Sequence, residues 1–347
     1  SRGDADFKSS TRDVHALLDE LKEEDVDAVV VDLRNNGGGS LSEANQLVGL
    51  FIETGATVQI RYSGLRNGFT RSFGDSDPEV AYTGPLAVLV NRTSASASEI
   101  FAGAIQDYQR GIVLGGQTFG KGTVQEIIPM DYGQVKLTRS KFYRISGEST
   151  QHRGVIPDIS FPDFYDAYED IGESSLDGAL PWDTVRAVEY TPYHAIQALV
   201  PELQQRYDAR AQKSPDFIYL RDQIERARVM RQREQLSLNE LEVKQEREEN
   251  RRIEFDAENM RRLLKGLTLN EWVEDPNAEE QEQELVAISD TAPADESVED
   301  AVEEEEEEEE EEGDPLLLES GRILADFISL NSNRVSSVSP GNTPQNR

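Results

Sequence analysis

The sequence contains no cysteine, which excludes disulfide staples, thiolate-bound zinc and a cysteine nucleophile. It has three histidines in 347 residues, His15, His152 and His194, too few and too scattered to suggest a catalytic zinc site. Basic residues are also scarce, 35 Lys+Arg against 68 Asp+Glu, for a net charge of −33. That balance argues against nucleic acid or an anionic membrane as a main partner. No run approaches the roughly 20 apolar residues a membrane-spanning helix needs. The polar stretch Ser1 to Ser10 has no signal-peptide pattern. A chain without thiols fits any redox compartment.

The charge is concentrated. Between Glu274 and Glu319 there are 23 acidic residues and no Lys or Arg, so −33 less −23 leaves −10 for everything else. This stretch includes the unbroken run Glu303 to Glu312. Like charges at that density repel, and there is too little apolar surface to offset ordering entropy, so a disordered acidic linker is expected over 273–315. It reads as a solvating tail or as a docking strip for a basic partner. Leu316 to Leu330 has an amphipathic pattern suited to a short docked helix, and the remainder to 347 reads as a frayed end.

Upstream, the texture changes at about residue 165. Before it, apolar runs alternate with Gly-rich turns. Val26 to Asp32 and Pro85 to Val90 read as buried strands, and Val124 to Met130 and Gln134 to Ile145 as alternating ones. Ser10 to Glu23, Ser42 to Phe51 and Ser98 to Tyr108 have helical spacing. Interleaved strands and helices predict an α/β layer structure. Beyond it, Pro201 to Ala211, Pro215 to Glu234 and Leu238 to Leu267 read as helices, with both prolines at first-turn positions. Only 25 residues precede the first strand. The expectation is a sheet short of an edge strand, in a chain that is a piece of a longer one.

Three segments carry chemistry. Asp32-Leu-Arg-Asn-Asn-Gly-Gly-Gly39 follows a strand and precedes a helix. Its glycines let the backbone approach a ligand and turn N–H groups outward, or serve only as a flexible turn. The Lys-Ser/Thr ending of a phosphate loop is missing. Asn91-Arg-Thr-Ser-Ala-Ser-Ala-Ser-Glu99 also joins a strand to a helix. Its serines can be helix caps, but a serine in such an exposed turn is also placed to attack, with the next N–H aimed at an oxyanion. In Thr118-Phe-Gly-Lys-Gly-Thr-Val-Gln125, Lys121 reads as a surface charge, or, held in an apolar site, as an amine neutral enough to take a serine proton. Gln125, four residues on, could orient that amine.

Together, DLRNNGGG, NRTSASASEIFAGAIQDY and GGQTFGKGTVQ, in this order and spacing, resemble the C-terminal processing peptidases, also called tail-specific proteases. The stretches Lys141 to Asp158 and Ala179-Leu-Pro-Trp-Asp183 are most similar to the long periplasmic members of Gram-negative bacteria. The resemblance implies a crotonase/Clp-like layered α/β serine protease core over 1–165, N-terminally incomplete and without the family's PDZ domain. A helical C-terminal extension over 166–272 would follow, then the acidic linker over 273–315 and a short helix with a frayed tail over 316–347. It implies a serine/lysine dyad with Ser96 as nucleophile and Lys121, 25 residues on, as base. Gln125 would position the lysine, and Asp107 would give structural support. The Ala97 N–H and a glycine N–H from Gly38 or Gly39 would form the oxyanion hole, with Ser94 and Ser98 as runners-up for nucleophile. No cofactor or metal is implied. The implied partners are proteins or peptides with accessible apolar C-termini, with room for an adaptor protein, and the implied location is the periplasm, near the inner membrane. A catalytically idle binding or adaptor protein is the alternative. Fold analogy adds acyl-CoA chemistry on a similar oxyanion hole, which would not need Lys121.

Overall fold

The computed structural model describes residues 8–62, 68–168, 171–233, 235–273 and 313–337. It divides into two compact units, one of 1–210 with 316–347 and one of 211–315. The first unit therefore runs past the change of texture at 165 and takes in the C-terminal helix.

Two four-stranded sheets build the first unit. One is parallel, in the order β1 (Val29–Asp32), β4 (Leu86–Val90), β5 (Ile112–Gly115), β8 (Ile159–Ser160). Its central strands bury every side chain, as the uninterrupted sequences LAVLV and IVLG require when both faces are covered. β1 begins three residues later than expected and is only partly buried, because it lies at the edge of this sheet. The other sheet is antiparallel, in the order β3 (Phe69–Asp75), β2 (Gly55–Tyr62), β7 (Gln134–Tyr143), β6 (Thr123–Pro129). β2, β3, β5 and β8 have no counterpart among the predicted strands.

Three helices complete the core: α1 (Ser10–Glu23), α2 (Leu41–Gly49) and α3 (Ala97–Asp107). α3 is buried on all sides from Ala97 to Ile105. Its Phe101, Ala102, Ala104 and Ile105 join the core around the parallel sheet, while Ala97 and Ile100 pack with Val58, Ile60 and Phe142 of the antiparallel one. A helix that touches both sheets has limited room, and the small residues Ala102, Gly103 and Ala104 fill its middle.

α4 (Val200–Ala211) and α7 (Pro315–Ser337) also belong to the first unit, apart from their boundary residues. α7 is longer than the short helix expected at Leu316 to Leu330. It buries Ile323, Leu324 and Phe327, and Arg210 of α4 pairs with Glu319 and Asp326 at 2.8 and 2.6 Å. The second unit holds α5 (Pro215–Arg231) and α6 (Glu240–Lys265). Asp216 in the first turn of α5 accepts from Arg261 and Lys265 of α6. The residues of the expected acidic linker from 274 to 312 lie outside the described residues, as does the end of the chain from 338. Among the described residues no helix is long and apolar enough to cross a membrane.

Candidate active site

Where β4 ends, the chain makes a tight turn and enters α3 with Ser96 as the N-cap residue. Ser96 has φ 59° and ψ −111°. A side chain with a Cβ adopts such a backbone at a cost of order 1–3 kcal/mol, and only where the surroundings impose it. Several contacts impose it here. Ala95 donates its N–H to the Asn36 carbonyl at 3.0 Å, and Ile100 donates to the Ser96 carbonyl at 3.0 Å. Gly38, at φ 91°, lies so close that a Cβ there would meet the Ala95 oxygen at 2.5 Å and the Ala97 nitrogen at 2.7 Å. Only glycine permits this approach.

The two other serines of the turn are committed elsewhere. Ser94 is fully buried, donating to the Leu33 carbonyl at 2.7 Å and accepting from the Asn91 N–H at 3.0 Å. Ser98 donates to the Asn36 carbonyl at 2.9 Å. Both hydroxyls thus stitch the serine turn to the glycine turn, while Ser96 is partly exposed. Asn35 and Asn91 exchange further hydrogen bonds across the same seam.

A residue that sequence reading gave no role organises the site. Glu99, in the first turn of α3, is fully buried. Its Oε2 accepts from the Ser96 N–H at 2.7 Å and the Lys121 N–H at 2.9 Å, and its Oε1 from Thr118 Oγ1 at 2.6 Å and the Gly120 N–H at 2.8 Å. Burial pushes the carboxyl up to about 7, and the four donors pull against that rise. The signal was present in the sequence: a serine at a helix start followed three residues later by glutamate is the capping-box pattern.

The backbones of Ser96 and Lys121 are therefore held by one carboxylate. Gln125 is not joined to them by a hydrogen bond. It is exposed at a bulge in β6, opposite Thr138. Asp107 lies at the far end of α3, a rise of about 16 Å over the eleven residues of the helix. There it holds Arg144 at 2.5 Å and the Ser146 hydroxyl at 3.2 Å. Of the oxyanion candidates, Gly38 donates its N–H to Asn36 Oδ1 at 3.0 Å. The N–H groups of Ala97 and Gly39 are engaged by no group among the described residues.

The histidines separate. His15 pairs with Asp19 on the surface of α1, and His194 sets its ring 6.4 Å from Phe327, with its pKa lowered by burial. His152, in a turn, donates its N–H to the Gly120 carbonyl at 2.9 Å and so belongs to the surroundings of Lys121. Among the described residues no group of three or more His, Asp or Glu could hold a metal ion.

Comparison with known proteins bears on this geometry. Residues 5–161 match peptidase family S41, and residues 167–329 match the C-terminal domain of tail-specific protease. The tail-specific protease of Haemophilus influenzae is 42% identical over 265 residues, which are 73% of this chain and 36% of that protein. The carboxy-terminal-processing protease of Bartonella bacilliformis is 37% identical over 182 residues, 50% of this chain and 40% of that one. Among solved structures, the photosystem II D1 C-terminal processing protease is 34% identical with a TM-score of 0.38, covering 44% of this chain and 39% of its own. The chain thus spans less than half the length of these curated relatives.

Proposed function

The chain belongs to peptidase family S41 and carries the C-terminal domain of the tail-specific proteases, and from that premise we propose that it is a serine endopeptidase in which Ser96 attacks a peptide carbonyl with Lys121 as its base. The observation that carries this reading is the shared Glu99 carboxylate, which holds the backbone of both residues from a single oxygen. The left-handed backbone of Ser96 supports it further, as a strained serine at a strand-to-helix turn is the signature of a presented nucleophile. Residues 1–165 would form the catalytic core and 166–272 its helical extension.

In this mechanism the neutral Lys121 amine takes the hydroxyl proton as Ser96 Oγ bonds to the carbonyl carbon. The carbonyl electron pair moves onto oxygen, where the N–H groups of Ala97 and Gly39 stabilise it. Gly38 supplies the close approach, because its own N–H is already donated to Asn36. Loss of one oxyanion donor typically costs about 10²–10³ in rate. Collapse expels the amine, which leaves with the proton from Lys121, and water attacks the acyl-serine with the same lysine as base. Gln125 would hydrogen-bond the amine, and Asp107 would anchor α3 through Arg144. The substrates would be proteins cut near accessible apolar C-termini. A periplasmic location near the inner membrane and delivery by an adaptor protein follow from the same resemblance.

Cleavage of an unfolded protein with an apolar C-terminal tail tests the reading. Ser96→Ala and Lys121→Ala should each lower the rate by about 10³-fold or more. Full cleavage by Lys121→Ala would overturn the dyad and favour acyl-transfer chemistry that needs no lysine. No cleavage by the unaltered whole protein would favour a binding role.

A further inference from the structure

The loop Thr118–Gly122 that carries Lys121 is held by Glu99 and by backbone bonds with Ser94, Phe142, His152 and Val155, all within the S41 match, and by one further group outside it. Glu99 holds it from inside. The outer grip comes from Ile171 to Glu173, at the start of the region matched to the tail-specific C-terminal domain. Glu173 donates its N–H to the Phe119 carbonyl at 2.9 Å. Its Oε1 accepts from Gln151 Nε2 at 2.9 Å, and Gln151 Oε1 accepts from the Gly122 N–H at 2.8 Å. Gln151 is fully buried and its orientation is dictated by its neighbours: an N–H must meet an oxygen, and a carboxylate must meet an N–H.

The same short segment reaches the serine turn. Arg92, four residues before Ser96, donates from Nε to the Ile171 carbonyl at 2.8 Å and from Nη1 to the Thr118 carbonyl at 3.0 Å. Gly172, at φ 128°, makes room for this guanidinium, since a Cβ there would lie 2.6 Å from Nη2. Three successive residues from the C-terminal match thus touch both the turn of Ser96 and the loop of Lys121.

We propose that Glu173 and Gln151 are positioning residues for Lys121, so that the first residues of the tail-specific C-terminal domain complete the catalytic loop of the S41 core. The proposal rests on the assignment of Lys121 as base. Glu173 acts on the loop at both ends: directly at Phe119 and, through the Gln151 amide, at Gly122, which is bonded to Lys121. Without this grip the loop keeps Glu99 and its backbone bonds with Ser94, Phe142, His152 and Val155, but the Gly122 N–H beside Lys121 loses its aligned acceptor. A displacement of about 1 Å at a reacting group costs on the order of 10²-fold in rate.

A charge exchange tests the clamp. In the whole protein, Gln151→Glu places a second carboxylate against Glu173 and should lower kcat by about 10–100-fold with KM little changed. The exchanged pair Gln151→Glu/Glu173→Gln rebuilds both hydrogen bonds, with the carboxylate now accepting from Gly122 and from the new amide, and should recover most of the loss. Hydrogen exchange at the Lys121 and Gly122 amides gives a readout independent of turnover: protection falls in Gln151→Glu, stays unchanged in the β4 and β5 amides, and returns in the exchanged pair. If kcat and loop protection are unaltered in Gln151→Glu, or if the exchanged pair recovers neither, the clamp is refuted. If Lys121→Ala cleaves normally, the base assignment fails, and the exchange data still decide whether the clamp exists.

Discussion

Ser96 and Lys121 donate their backbone N–H groups to the same oxygen, Oε2 of Glu99, at 2.7 and 2.9 Å. Two segments 25 residues apart in sequence are thereby fixed to one buried atom. A buried acceptor with several donors is worth more than the sum of exposed pairs, because each donor would otherwise lose its hydration without replacement.

Removing that atom should be costly. Glu99→Ala leaves three buried or partly buried N–H groups and the Thr118 hydroxyl proton without an acceptor, although Thr118 Oγ1 still accepts from the Val155 N–H. At about 1–3 kcal/mol for a buried group left unsatisfied, a loss of at least about 3 kcal/mol is expected in urea unfolding. A loss below 1 kcal/mol would mean that water replaces the carboxylate freely.

The pH dependence has a definite sign. The Glu99 carboxyl titrates at an ordinary 4.5 when unfolded and at about 7 when folded. Between those values the folded protein holds a proton that the unfolded chain has released, so this group's contribution is fully present below 4.5 and is lost as pH rises towards 7. At about 1.4 kcal/mol per pH unit, the whole window is worth about 3 kcal/mol. Urea midpoints measured at pH 5 and pH 7 should show this fall in the native protein and a much smaller one in Glu99→Gln, which cannot ionise. Equal slopes in the two proteins would place the titration elsewhere.

Strain at Ser96, the proposed nucleophile, should be recoverable. Ser96→Gly, at φ 59° and ψ −111°, replaces a disfavoured backbone by an accessible one. Stability should rise by about 1 kcal/mol while reaction with a serine-directed fluorophosphonate disappears. A destabilised glycine variant would show that the Ser96 side chain contributes packing that outweighs the strain.

Ser94 and Ser98 should behave in the opposite way. Each donates its hydroxyl to a carbonyl of the neighbouring turn, Leu33 or Asn36. Ser94→Ala and Ser98→Ala should each cost about 1–2 kcal/mol in unfolding while leaving Ser96 reactive to the fluorophosphonate. Loss of labelling in a fully folded Ser94→Ala protein would reopen the choice of nucleophile.

The C-terminal helix depends on a buried charge. Glu319 is almost fully buried and pairs with Arg210 at 2.8 Å and Arg322 at 3.2 Å. Arg210→Ala removes one partner from Glu319 and one from Asp326. Exchange protection over 316–332 should fall while that of the parallel sheet holds, because a buried carboxylate that loses a partner costs several kcal/mol. Unchanged protection there would show that Ile323, Leu324 and Phe327 anchor the helix without the arginine.

Most helices were legible because their periodicity and caps are local. α1 has the expected bounds, and α3 and α4 differ from the expected spans by a single residue at one or both ends. β2, β3, β5 and β8 were not, although IVLG of β5 is as apolar as any strand in the chain. Four apolar residues beside a helix end carry no period that separates strand from helix. The alternating residues of β2 include Thr57 and Gln59, which are buried with their polar groups paired: Thr57 donates to Asn45 Oδ1, and Gln59 to the Arg144 and Arg186 carbonyls. No local rule anticipates such distant partners.

The sequence alone determined the chemistry available: no thiol, no histidine cluster, a glycine turn, a serine turn and a lysine loop in a fixed order. Their spacing was enough to single out Ser96 and Lys121 by resemblance. The tertiary structure decided how those parts meet. It committed Ser94 and Ser98 to carbonyls, paired Asp107 with Arg144 and put Glu99 and Glu173 on either side of the lysine loop. The physical reason is that a hydrogen bond's value depends on burial and on partners distant in sequence, whereas residue type and local spacing are properties of the chain itself.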